Sequence, residues 1–130
     1  MIDKNSPYAA TMGFLSQRDA AGALILAMPF DAGKAGRPGF VHGGALAGLL
    51  EAVAYQALSE ALGAEDRPRL KPVNVTVAFM RGATEATTYA AATIERLGRR
   101  MANVEAVAWQ DDRAKPVATA QLNILLDRSR

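Results

Sequence analysis

Twenty consecutive residues near the middle of the chain, Gly43 to Leu62, are almost all small or apolar helix formers, and they decide what can fold around them. The run is Gly-Gly-Ala-Leu-Ala-Gly-Leu-Leu-Glu-Ala-Val-Ala-Tyr-Gln-Ala-Leu-Ser-Glu-Ala-Leu, and Gly63 follows it where helices commonly stop. Its first four turns are apolar nearly all the way round, the mark of a helix enclosed by protein on most sides. About 20 residues would also span a bilayer. Glu51 near the middle, with Gln56, Ser59 and Glu60 after it, breaks the apolar run, and the rest of the chain has no membrane pattern. The expectation is therefore a buried helix in a protein without a membrane partner.

What encloses the helix is legible further along. Four segments rich in β-branched or aromatic residues, 72–81, 87–97, 101–110 and 116–126, follow one another with short polar connections and are expected to pair as an antiparallel meander. In the first, Val73, Val75, Val77 and Phe79 alternate with Asn74, Thr76 and Ala78, which gives the strand one apolar face. In the third, Met101, Asn103, Glu105, Val107 and Trp109 share a face. Upstream, residues 7–20 suggest a short helix and an irregular strand, and 23–30 a strand ended by proline. Residues 31–41 hold three glycines and a proline, a loop with unusual backbone angles. An α+β fold follows, a curved antiparallel sheet wrapped around one long central helix. With 130 residues, half of them hydrophobic, the chain suits a single domain over 1–130.

Composition removes several kinds of chemistry. The 15 basic and 13 acidic residues are interspersed, so no basic stripe marks a nucleic-acid partner. There is no cysteine and only one histidine, which excludes a thiol nucleophile and leaves neither a metal site nor a cofactor to be expected. The first residues, Met1-Ile2-Asp3-Lys4-Asn5-Ser6-Pro7, lack the apolar core of a secretory leader, and a cytoplasmic location is expected.

The chemistry concentrates at the helix. His42 stands before Gly43 and Gly44, where a helix start exposes unpaired N–H groups and glycine lets a substrate oxygen approach the backbone, as an oxyanion hole requires. The plainer reading is a satisfied loop histidine beside two packing glycines. Glu51 is the sole charged residue in the first four turns. A buried carboxylate costs several kcal/mol unless paired or used. It is then either a solvent-facing or ion-paired residue, or a general base or nucleophile. His42 and Glu51 lie nine residues apart, about 13 Å along a helix axis and about 180° around it. One chain cannot aim both at one carbonyl, so a shared reaction requires two antiparallel helices from two chains.

The stretch Gly39-Phe40-Val41-His42-Gly43-Gly44, with Leu46, Leu49, Leu50 and Glu51, resembles the phenylacetate-type (PaaI-like) branch of the hotdog-fold thioesterases. Segments 72–82 and 97–105 resemble the strand after the helix and the next hairpin of that family. The resemblance implies an acyl-CoA thioesterase acting on a short-chain or aromatic acyl-CoA, assembled as a homodimer at least and as a homotetramer. It implies that the Gly43 N–H polarises the thioester carbonyl, that His42 positions that carbonyl, and that Glu51 of the partner chain is the catalytic carboxylate. Gly44 and Asn74 are candidates at the substrate, and Arg99 and Arg100, beside Gly98 at a tight turn, are candidates for the CoA phosphates. Two departures stand out: Gly36 replaces an asparagine common in the family, and Pro72 replaces a serine or threonine that orients water. They motivate a non-catalytic acyl-CoA-binding module as the alternative, beside hydration of an enoyl or 3-hydroxyacyl thioester.

Overall fold

A computed structural model describes residues 6–129. A short helix, α1 (Pro7–Met12), starts after Ser6, whose hydroxyl accepts the Ala9 N–H, and stops at Gly13 in the left-handed region, φ 68°. Strands β1 (Leu15–Arg18) and β2 (Leu24–Met28) pair antiparallel, and the loop after them contains a single 3-10 turn at Ala32–Lys34. The long helix α2 spans Gly43–Leu62, as the residue pattern predicts, with His42 as its N-cap and Gly63 as its C-cap. Strands β3 (Arg69–Phe79), β4 (Thr88–Leu97), β5 (Met101–Trp109) and β6 (Ala118–Asp127) complete one antiparallel sheet in the order β1-β2-β4-β5-β6-β3.

The sheet curves around α2 by a division of sizes. Its inner face opposite the helix is rich in alanine, with Ala90, Ala102, Ala106, Ala108, Ala118 and Ala120 all buried. Small side chains there let the helix approach closely and leave the volume to Leu46, Leu49, Leu50, Val53 and Leu58, which join the same core. Each fully buried leucine contributes roughly 2 kcal/mol of transfer free energy.

Two expectations are corrected by the sheet. Only β4, β5 and β6 form a meander, because β3 pairs with β6 at the far edge and not with β4. The reason is α2 itself: the chain leaves β2, crosses the sheet as a helix, and comes down on the opposite edge, after which residues 80–87 return it to β4 beside β2. The alternation of Val73 with Val75, Val77 and Phe79 is also interrupted. A bulge between Pro72 and Asn74 leaves Val73 with no register partner and exposed, so Pro72, Val75, Val77 and Phe79 are the residues opposite inward-facing β6 positions.

Candidate functional site

The start of α2 is fixed by the loop before it. Lys34, almost wholly buried, donates to the Pro29 carbonyl and to Asp31 Oδ2, both at 2.8 Å, while Asp31 Oδ1 accepts the Gly33 N–H. The hydrogen bond from Lys34, then that from Gly33, holds the Asp31 carboxyl below its usual range. From this knot the Lys34 carbonyl accepts the His42 N–H at 2.8 Å. Gly36 lies so close to His42 that a Cβ there would sit 3.0 Å from the His42 Cα. Any side chain at this position presses on the His42 backbone, which must give by a few tenths of an ångström to admit it, and this is a local counterpart of the departure at Gly36.

His42 then caps the helix. Its Nδ1 accepts the Gly44 N–H at 2.8 Å, which assigns the proton of the neutral ring to Nε2 and points that donor away from the cap. The Gly44 amide is thus occupied, whereas the Gly43 N–H has no acceptor among the described residues. The Phe79 ring lies against Gly43, where a Cβ would be 3.3 Å from two of its carbons. His42, Gly43, Gly36, Phe79, Arg37 and Arg81 line one groove of about 510 Å³. Neither arginine figures among the basic residues that the sequence singles out, although Arg37 follows Gly36 directly.

Glu51 opens elsewhere. It lies on the face of α2 turned away from the sheet, half-buried, in a cavity of about 630 Å³ lined by Tyr8, Gly44, Gly48, Glu51, Tyr55 and Leu70 among others. The Tyr55 hydroxyl donates to Glu51 Oε1 at 3.0 Å, and no ion pair involves Glu51 among the described residues. Burial, and then the Glu51 charge and this hydrogen bond, push the Tyr55 phenol far above its ordinary value. Tyr8, from α1, is raised in the same way by burial and then by Glu51. Two protonated phenols thus flank one carboxylate. Tyr55 stands four residues after Glu51, the spacing that puts side chains together on a helix, and that was the available signal for it. Among the described residues no group of three or more metal-ligating side chains forms, and no helix is long and apolar enough to cross a membrane.

The remaining candidates are scattered. Asn74 accepts from Asn123 Nδ2 at 2.8 Å, and Asn123 accepts from Asn103, forming a ladder on the outer face of the sheet. Asn74 therefore faces away from α2 and from Glu51, contrary to the expectation that it stands near the reacting centre. Arg99 and Arg100 line a separate cavity of about 620 Å³ with Asp127 and Arg128, at the end of the sheet where Arg69 pairs with Asp127. The helix start lies at the other end, beside Phe79. Within one chain the arginine pair and the His42 groove are thus a full strand length apart, roughly 30 Å.

The fold has close counterparts among solved structures. A family model described as acyl-CoA thioesterase N-terminal domain matches residues 32–124. Among solved structures, the Bacillus halodurans BH2602 protein, solved with CoA, superposes with a TM-score of 0.86 at 22% identity, covering 98% of this chain and 83% of that one. A Chromobacterium violaceum protein is 32% identical over 97% of this chain and 87% of its own, with a TM-score of 0.73. A thioesterase-type, phenylacetic acid degradation-related protein of Ralstonia eutropha JMP134 is 26% identical, with a TM-score of 0.80 and coverage of 95% and 92%. No match to a curated protein was found.

Proposed function

The chain belongs to the acyl-CoA thioesterase family and has its hotdog fold, and from that premise we propose that it hydrolyses a short-chain or aromatic acyl-CoA in a site shared between two copies of the chain. In the reaction, a water activated by Glu51, or a Glu51 carboxylate oxygen itself, attacks the thioester carbon. The carbon–sulfur bond breaks, CoA leaves as its thiolate and takes up a proton, and the acid is released. A covalent acyl-Glu51 would need a second attack by water. The Gly43 N–H donates to the carbonyl oxygen and stabilises the negative charge that develops on it, and His42 Nε2–H holds the same oxygen in place.

The observation that carries this reading is the combination on one helix of a Gly43 amide with no acceptor and a half-buried carboxylate with no ion pair among the described residues, which open into different cavities. Gly43 and Glu51 are eight residues apart, about 12 Å along the axis, so a single thioester cannot touch both in one chain. Antiparallel pairing of two helices across a twofold axis brings each acid to the other chain's helix start. The same operation carries the partner's Arg99 and Arg100 toward this chain's His42 groove, where Arg37 and Arg81 already stand, which supports phosphate binding there. β3 suits such pairing: it is an edge strand, and Val73, Phe79 and neighbouring Met80 are all more than half exposed. The CoA solved with the Bacillus halodurans relative supports CoA as the carrier.

The test is complementation. Thiol release from a panel of acyl-CoAs identifies the substrate, and Glu51→Ala and Gly43→Pro are each expected to abolish it. A mixture of the two variants refolded together is expected to regain about a quarter of the wild-type rate, because half of the dimers then hold one intact site of two. Recovery of nothing, with dimers present, overturns the shared site. Thiol release that survives in Glu51→Ala overturns the role of the acid.

A further inference from the structure

Helix α1 lies over the open face of α2, and its Tyr8 is seated in a notch made for it. A Cβ built on Gly48 would overlap the Tyr8 hydroxyl and lie 2.8 Å from Cζ, so any larger residue at 48 displaces the ring. Phe14 holds the ring from the side, edge to face, with centroids 5.9 Å apart. Gly48 precedes Glu51 by three residues and shares its helix face. Tyr8 and Glu51 line the same cavity and lie near enough for the carboxylate charge to raise the phenol. The opposite wall is Tyr55, already tied to Glu51, with Ala52 between the two, and Ala47 and Gly44 line the cavity beyond Gly48.

We propose that Tyr8 is a specificity-determining residue, closing the end of the Glu51 cavity so that it admits short or flat acyl groups and excludes long alkyl chains. This rests on the thioesterase reading of the Glu51 cavity and adds to it the residue that sets the acyl class. A thioester carbon within reach of Glu51, directly or through one water, must send its acyl group along the surface of α2. Toward the helix start that surface carries no side chain larger than alanine, and it ends where the Tyr8 ring covers Gly48. Flat acyl groups stack between the Tyr8 and Tyr55 rings, whereas each methylene beyond that point must push Tyr8 off Gly48. Tyr8 is the movable wall, being 48% exposed and carried on a six-residue helix, while Tyr55 belongs to α2 itself.

The test is a chain-length ladder from acetyl-CoA to dodecanoyl-CoA, with phenylacetyl-CoA beside it, read as the ratio of kcat/KM for decanoyl to that for propionyl. Tyr8→Ala is expected to raise this ratio at least about tenfold, and Tyr8→Trp to lower it by about the same factor. Opposite shifts from two substitutions at one position are not what loss of folding gives. Binding of the corresponding non-hydrolysable thioethers, measured by calorimetry, is expected to shift in the same two directions. A wild-type enzyme that turns over its substrates while both variants keep its ratio overturns the role of Tyr8 and leaves the thioesterase reading intact. Thioether preferences that shift with Tyr8 in a protein that hydrolyses nothing overturn the thioesterase reading and leave the wall in place. Binding of no thioether at all overturns both.

Discussion

The two long faces of α2 carry the same backbone and opposite tasks. Against the sheet stand Leu49, Leu50, Val53 and Leu58, all fully buried, and across the axis stand Gly44, Ala47, Gly48, Glu51, Ala52 and Tyr55 around an open cavity. The first face is large, branched and sealed, and the second is small, notched and holds the helix's half-buried acid. A helix that is apolar nearly all round in sequence is thus asymmetric in use. The apolarity of one side supplies cohesion, and the smallness of the other leaves room for a guest.

This contrast is broken most sharply at Glu51. Glu51→Gln keeps size and shape and is expected to lower kcat by about a thousandfold, while urea unfolding shows a stability within about 1 kcal/mol of wild type. An equal loss of stability would mean that the acid serves the fold. On the sealed face the expectation reverses: Leu49→Ala removes a fully buried side chain opposite an alanine-rich sheet and is expected to cost about 3 kcal/mol, seen by calorimetry as a fall of roughly 10 °C in Tm. Activity per folded molecule is expected to stay near wild type, and a catalytic loss matching that of Glu51→Gln would erase the distinction between the faces.

The smallest effect is electrostatic. The Tyr55 phenol is raised by burial first, and then by the charge of Glu51 and the bond to it. Replacing Glu51 with Gln removes the charge and leaves the burial. An ultraviolet titration of phenolate is therefore expected to move the Tyr55 ionisation downward in pH, without bringing it to the value of a free tyrosine. An upward shift would mean that the carboxylate does not face the phenol.

Local chemistry was readable in the residues, and non-local placement was not. The ends of α2 follow from helix formers between a capping histidine and a stopping glycine, all within one segment. Glu51 stands out because a lone acid in an apolar run is visible without any tertiary contact. The position of β3 beside β6 is not legible, because a period of two tells which residues share a face and nothing about which strand lies next to it. Val73 falls out of the inward set for a related reason: the bulge between Pro72 and Asn74 breaks the alternation at its start, and the proline is the one warning of it, whereas Asn74 lies on the face opposite to Val75 and Val77 as the alternation has it. Tyr8 was invisible, since 43 positions separate it from Glu51 and only the fold of α1 over α2 brings the two to one cavity. Arg99 and Arg100 stand out in the sequence by their neighbouring turn, and only the sheet shows that this turn is at the end away from His42.

The close approach of Gly36 to His42 has a consequence for anyone who wants to change this enzyme. Residue 36 and the His42 backbone are in close contact: a side chain grafted onto the first pushes on the Cα of the second and so on the register of the cap and the direction of the neighbouring amide. Transplanting an amide side chain from a homologue is therefore a problem of loop redesign, to be solved by exchanging the whole run from Pro29 to His42 together with the lysine that anchors it.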